Sequence, residues 1–198
     1  RRRKPGALFN TMGKVNSQRL KVSRMTKTKV EAVKAARVWC LAALLAFAGL
    51  AHADLVGPVV AIQDGDTIDV LVNRQPVRVR LAQIDAPEKR QAFGTRSRQA
   101  LAELVFRQSV RVAETGRDRY GRVIGTVYLG NVDVNAQMVR EGMAWVYRQY
   151  AKDRGLYELE RQAQASRRGL WVDPEPVPPW EYRRDKRERS LAAKRQAQ

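Results

Sequence analysis

The polar–apolar rhythm of the chain is clearest between residues 55 and 129. "LVGPVVAIQ" (55–63) and "TIDVLV" (67–72) are rich in β-branched and aliphatic residues, with "DGD" between them. Asp64-Gly65 is a strong hairpin signal, so the pattern predicts two antiparallel strands with Asp66 opening the second. "NRQ" (73–75) leads into "PVRVRL", where Val77, Val79 and Leu81 alternate with Arg78 and Arg80. That period of two predicts a third strand with one apolar face. "SVRVAE" (109–114) and "VIGTVYL" (123–129) read as two further strands, separated by "TGRDRYGR".

Helical spacing appears between and after the strands. In "GTRSRQALAELVFRQ" (94–108), Ala100, Leu101, Leu104 and Val105 share a face, and Thr95 or Ser97 is available near the start. "VNAQMVREG" (134–142) predicts a short helix ended by Gly142, and "LYELERQAQASRRG" (156–169) a longer one ended by Gly169. Five short strands, a helix between the third and fourth, and about three helices in all describe an α+β, mainly β chain. The order fits a five-stranded barrel of the OB type. The four prolines of "DPEPVPPWEY" are expected to exclude regular structure, and the basic end "RRDKRERSLAAKRQAQ" reads as a solvated tail. The expected domain is therefore 54–172, with 173–198 as a tail.

Charge divides the chain before residue 54. The formal net charge is +18, yet residues 1–53 hold 12 Lys/Arg against Glu31 alone, and the remaining 145 residues carry +7. Residues 38–50, "VWCLAALLAFAGL", form an uncharged run of 13 behind Lys27, Lys29, Lys34 and Arg37, and "AHA" follows it. This is the pattern of a signal peptide spanning 25–53, cleaved between Ala53 and Asp54. Residues 1–24 read as an upstream extension before a start at Met25. A secreted or periplasmic protein is expected, with no stable membrane association after cleavage.

Such cleavage removes the only cysteine, Cys40, and the only histidine, His52. Thiol nucleophiles, imidazole bases, disulfides and His/Cys zinc sites are then excluded. Hydrolytic chemistry would rest on carboxylates, arginines, tyrosines and a metal held through oxygen. Asp66 and Asp85 fall at the ends of neighbouring strands of the meander, where like charges need a cation between them. A hard divalent ion such as Ca²⁺ suits such a pair, and Pro87 keeps Ala86 extended so that its carbonyl is available to the same ion. Arg80 and Arg122 are suited to gripping a phosphate, and the carboxylate of Glu88 to orienting or deprotonating a water.

"DGDT", "VRLAQIDAPE" and "DRYGR", in this order and at this spacing, resemble the thermonuclease (staphylococcal nuclease-like) family, and "RRGLW" resembles the end of its domain. The likeness spans about residues 56–171. It implies an OB-fold enzyme that uses Ca²⁺ to hydrolyse DNA and RNA with little sequence specificity, leaving 3′-phosphate ends. It further implies Asp66 and Asp85 as metal carboxylates and Ala86 as a carbonyl ligand. Glu88 matches the general base or water positioner, and Arg80 and Arg122 the arginines that stabilise the transition state. Asp118 and Tyr120 match substrate-contacting positions. Tyr147 and Tyr150 lie near the family's base-stacking tyrosines at a different spacing, so either could stack on a nucleotide or serve the core. Ala86 replaces a threonine of the family's best-known form. A monomer acting on single-stranded or locally unpaired nucleic acid is expected. The alternative is a non-catalytic nucleic-acid-binding module of the same family, which predicts loss of at least one of Asp66, Arg80, Asp85, Glu88 or Arg122. All five are present.

Overall fold

The computed structural model describes residues 54–197, so the expected extension and signal peptide lie outside the described residues. Strands β1 (Leu55–Ile62), β2 (Thr67–Val72) and β3 (Gln75–Leu81) form the meander that the alternation predicts. β4 (Ile84–Asp85) and helix α1 (Gly94–Val105) precede β5 (Ser109–Arg117) and β6 (Val123–Leu129). β5 pairs antiparallel with both β1 and β6, and a parallel contact between β3 and β6 closes the sheet on itself. The result is a five-stranded barrel of mixed pairing, as expected for an OB-type fold. Val79 and Leu81 point into its core with Val59, Ile68, Val112 and Val123, and Arg78 and Arg80 alternate outward.

The closing seam is short, with Val79, Arg80 and Leu81 in register with Val123, Ile124 and Gly125. Asn135 reinforces it from helix α2 (Val134–Arg140), which follows the short strand β7 (Val132–Asp133). Its buried side chain accepts the Val127 N–H at 3.0 Å and donates to the Ala82 and Gly125 carbonyls at 3.0 and 3.3 Å. A second, two-stranded ladder pairs β4 with β8 (Trp145–Val146), setting Asp85 opposite Trp145. Helix α3 (Arg154–Ala165) supports that ladder: buried Glu160 accepts the Val146 N–H at 2.9 Å and an Arg148 N–H at 3.0 Å. The chain then makes a 3₁₀ turn at Gly169–Val172.

Two expectations about local structure are corrected. The two-residue turn of the meander is Asn73-Arg74, between β2 and β3, where both residues have positive φ (50° and 64°) as a type I′ hairpin requires. Residues 63–66 instead form a four-residue loop, Thr67 and not Asp66 opens β2, and neither Asp64 nor Gly65 has positive φ. Gly65 is needed there for space. A Cβ at this position would overlap Ser97 Oγ of α1 and stand 2.8 Å from Ala86 Cβ. Ser97 is no cap either: it lies inside α1, buried, and donates to the Met143 carbonyl at 2.6 Å.

The larger correction is at the C-terminus. Pro179–Gln196 form an 18-residue helix, α4, where a proline-broken basic tail was expected. Proline disrupts a helix interior, but its missing N–H and fixed φ are harmless in the first turn, which is where Pro179 stands. Glu181 in the first turn and Lys194 and Arg195 in the last complement the helix dipole.

Two measurements check this account. Asp69 faces Arg78 across β2 and β3, and the guanidinium holds it with bonds of 2.9 and 3.2 Å. Those bonds, opposed by burial, keep the Asp69 carboxyl below its ordinary value. A depressed folded-state pKa adds stability above about pH 4 that is lost as pH falls through the folded value. Urea unfolding across pH 2–6 should therefore show a shallower acid decline for Asp69→Asn than for wild type. Gly65→Ala should lower stability by about 1–3 kcal/mol, the usual cost of over-packing, in the same denaturation assay.

Candidate active site

Asp66 is fixed from three sides. Its backbone N–H donates to Asp64 Oδ1 at 3.1 Å, and its carbonyl accepts the Leu81 N–H at 2.8 Å. Its Oδ2 accepts the Ala86 N–H at 2.7 Å and its Oδ1 the Thr67 hydroxyl at 3.0 Å. Asp64 thus does the work of a turn former, aiming its neighbour. Asp85 arrives from β4, 1 % exposed, held by the ladder with β8. Arg80 reaches both acids: its Nη1 pairs with Asp66 and its Nη2 with Asp85 Oδ1 at 2.8 Å.

The electrostatics follow from this arrangement. Burial opposes the charge on Asp66, yet the Arg80 guanidinium and the Ala86 N–H hold its carboxyl below the ordinary value. For Asp85 burial dominates and, with the Asp66 charge, pushes its carboxyl up against the pull of two arginines. Asp64 is pushed up to about 6, by burial first and the Asp66 charge second. Burial alone would weaken the charge on Arg80, but its two carboxylate partners hold the proton more firmly than usual.

A cation therefore does lie between Asp66 and Asp85, and it is Arg80. A second guanidinium approaches from α4. Arg183 bonds both oxygens of Asp85, at 2.7 and 3.2 Å, and Glu88 Oε1 at 2.9 Å. Glu88 itself is half-exposed. The atoms that Asp66, Asp85 and Glu88 offer are all hard oxygens, the donor type that divalent cations such as Ca²⁺ and Mg²⁺ take and soft metals do not. Among the described residues no three His, Cys, Asp or Glu gather as a closed metal cage. In the structure the Ala86 contribution is its N–H, given to Asp66.

The remaining predicted residues lie around this centre. Asp118 closes the β5–β6 hairpin by accepting the Tyr120 and Arg122 N–H groups and the Arg122 Nε, at 2.9, 3.0 and 2.7 Å. Burial opposes its charge, but these donors keep its carboxyl below the ordinary value. Arg122 immediately precedes β6, and the register Arg80↔Ile124 puts it on the same outer face of the barrel as Arg80. Among the described residues its side-chain hydrogen bond goes to Asp118 and to none of the three central acids. Tyr120 is exposed at the hairpin tip, its ring flanked by Arg119 and Arg122.

Tyr147 and Tyr150 meet edge to face at 4.9 Å. Tyr147 also stacks on Trp180 of α4, with centroids 5.7 Å apart and planes within 2°. Trp180 and Arg183 are the residues at the site that sequence reasoning missed. Their i, i+3 spacing on one helix face was the available signal, visible only once the segment is read as helical.

Sequence likeness to known proteins identifies the family. Residues 78–173 match the family described as "Staphylococcal nuclease homologue". A "Micrococcal nuclease" of Shigella flexneri is 53 % identical over 164 residues, covering 77 % of this chain and 94 % of that one. "Protein ParB" of Escherichia coli is 54 % identical over 158 residues, 74 % of this chain and 89 % of that one. An "Uncharacterized endonuclease" of Escherichia coli is 49 % identical over 135 residues, 68 % and 88 % of the two chains. With a closed mixed barrel, a buried acid–arginine cluster and these relatives, the chain belongs to the staphylococcal nuclease family and is a nuclease.

Proposed function

We propose that the protein is a Ca²⁺-dependent phosphodiesterase that hydrolyses DNA and RNA with little sequence preference and leaves 3′-phosphate ends. The observation that carries this reading is the buried Asp66–Arg80–Asp85 cluster with half-exposed Glu88 at its edge. Relatives described as nuclease and endonuclease support nucleic acid as the substrate. The net charge of +7 beyond residue 53 favours encounter with a polyanion, with affinity that falls as salt rises. The signal-like segment at 25–53 supports action outside the cytoplasm, in the periplasm or beyond the cell.

Asp66, Asp85 and the Ala86 carbonyl would hold the ion. When bound, Ca²⁺ supplies positive charge beside the scissile phosphate. Glu88 takes a proton from water as the water oxygen attacks phosphorus, and the bond from phosphorus to the 5′ oxygen breaks. The departing oxygen takes a proton from solvent, leaving a 3′-phosphate and a 5′-hydroxyl. Arg80 and Arg122, on one face of the barrel wall, donate hydrogen bonds to the non-bridging oxygens as their charge grows. Asp118 orients Arg122 for this task and Tyr120 covers the hairpin tip, where a nucleotide would pass.

Purified protein incubated with DNA should cleave it with Ca²⁺ and stop when a chelator is added. Glu88→Ala and Arg122→Ala should each lower the rate by about 10²–10⁴-fold, as for loss of a general base or a transition-state donor. Glu88→Ala should still bind an oligonucleotide in a fluorescence anisotropy titration. Binding without cleavage by the wild-type protein would favour the non-catalytic module instead.

A further inference from the structure

Helix α4 lies beyond the family match, which ends at residue 173, yet its side chains occupy the centre of the site. Arg183 uses both oxygens of Asp85, the acid assigned to the ion, and one oxygen of Glu88, the acid assigned to water. A divalent cation at those oxygens would have to compete with the Arg183 guanidinium for their lone pairs and for the space beside them. One turn earlier, Trp180 lies flat on Tyr147, the face a nucleobase would need. A cation and a planar ring side by side are the two chemical features of a nucleotide-bound metal site, here supplied by the protein's own chain.

The helix is lightly attached. Of its 18 residues only Pro179 is buried, and the described ties at its start are the Trp180 contacts, the Arg183 pairs and a Gln91 bond to the Val177 carbonyl at 2.6 Å. From Arg184 onward the helix is mostly exposed and carries six Lys/Arg against two acids. Nothing in its core burial would resist displacement, and a polyanion would attract it away from the barrel.

We propose that α4 is an autoinhibitory strap: Arg183 holds the carboxylates needed by Ca²⁺ and water, Trp180 covers Tyr147, and both yield when ion and nucleic acid bind. This rests on the Ca²⁺-dependent reading above. The strap keeps the buried Asp85 charge paired while the enzyme is idle, and makes Ca²⁺ affinity a property of α4 as well as of the barrel.

Calorimetric titration with Ca²⁺, without nucleic acid, tests the idea on the full chain. Arg183→Ala should bind Ca²⁺ roughly tenfold or more tightly than wild type, as for removal of a competing charge-assisted hydrogen bond. Arg189→Ala, on the exposed part of the same helix, should leave the affinity unchanged. Equal or weaker affinity in Arg183→Ala overturns the strap, and weaker affinity would make Arg183 part of the site. Heat of binding from neither protein overturns the Ca²⁺ reading as well, so the two failures are distinguishable. A second measurement needs no variant: Ca²⁺ should speed tryptic cleavage of wild type after Arg183 and Arg184, and unchanged or slower cleavage there counts against displacement.

Discussion

Two carboxylates buried side by side are unstable without a positive charge, and Arg80 supplies it to Asp66 and Asp85 alike. Much of the site's geometry follows from that requirement. Arg80 must lean outward from β3 while Val79 and Leu81 stay in the core, which fixes the phase of the strand. Asp66 must face it from the loop after β1, which needs Asp64 to hold the turn and Gly65 to let Ser97 and Ala86 close in. Removing one partner would leave an uncompensated buried charge, so the cluster is a unit.

Around that unit the fold is arranged in supporting layers. β8 carries β4, α3 carries β8 through Glu160, and Asp85 inherits its position from that chain of contacts. The hairpin of Asp118 and Arg122 is organised separately, by one carboxylate accepting three donors. The acids and the second arginine are therefore positioned by different parts of the molecule. Each can be tuned without rebuilding the other.

Much of this could be read from the sequence, for a physical reason. Asp66 and Arg80 belong to the meander, and Asp85 and Glu88 follow directly after it, so strand alternation and nearby turns place all four close together along the chain. What period and propensity could not give were the contacts between distant segments. The glycine at 65 looked like turn chemistry because the approach of Ser97, from a helix 32 residues on, has no local signature. The helix at the end of the chain is hidden because its one proline stands in the first turn, where it does no harm, and proline content alone does not reveal that position. Arg183 meets Asp85 across 98 residues, a pairing that no local pattern encodes. The need for a cation between the two acids was legible; that arginine already meets it in this structure was not.

The seam between β3 and β6 carries a further consequence. It has three registered pairs, where β2 and β3 share six, and it is parallel, the slightly weaker of the two ladder types. It also runs between the strand bearing Arg80 and the hairpin bearing Arg122. The barrel is thus most easily parted along the line that divides the two arginines. The spacing between the strand of Arg80 and the hairpin of Arg122 is therefore set by a short parallel ladder and by Asn135, the side chain that pins it.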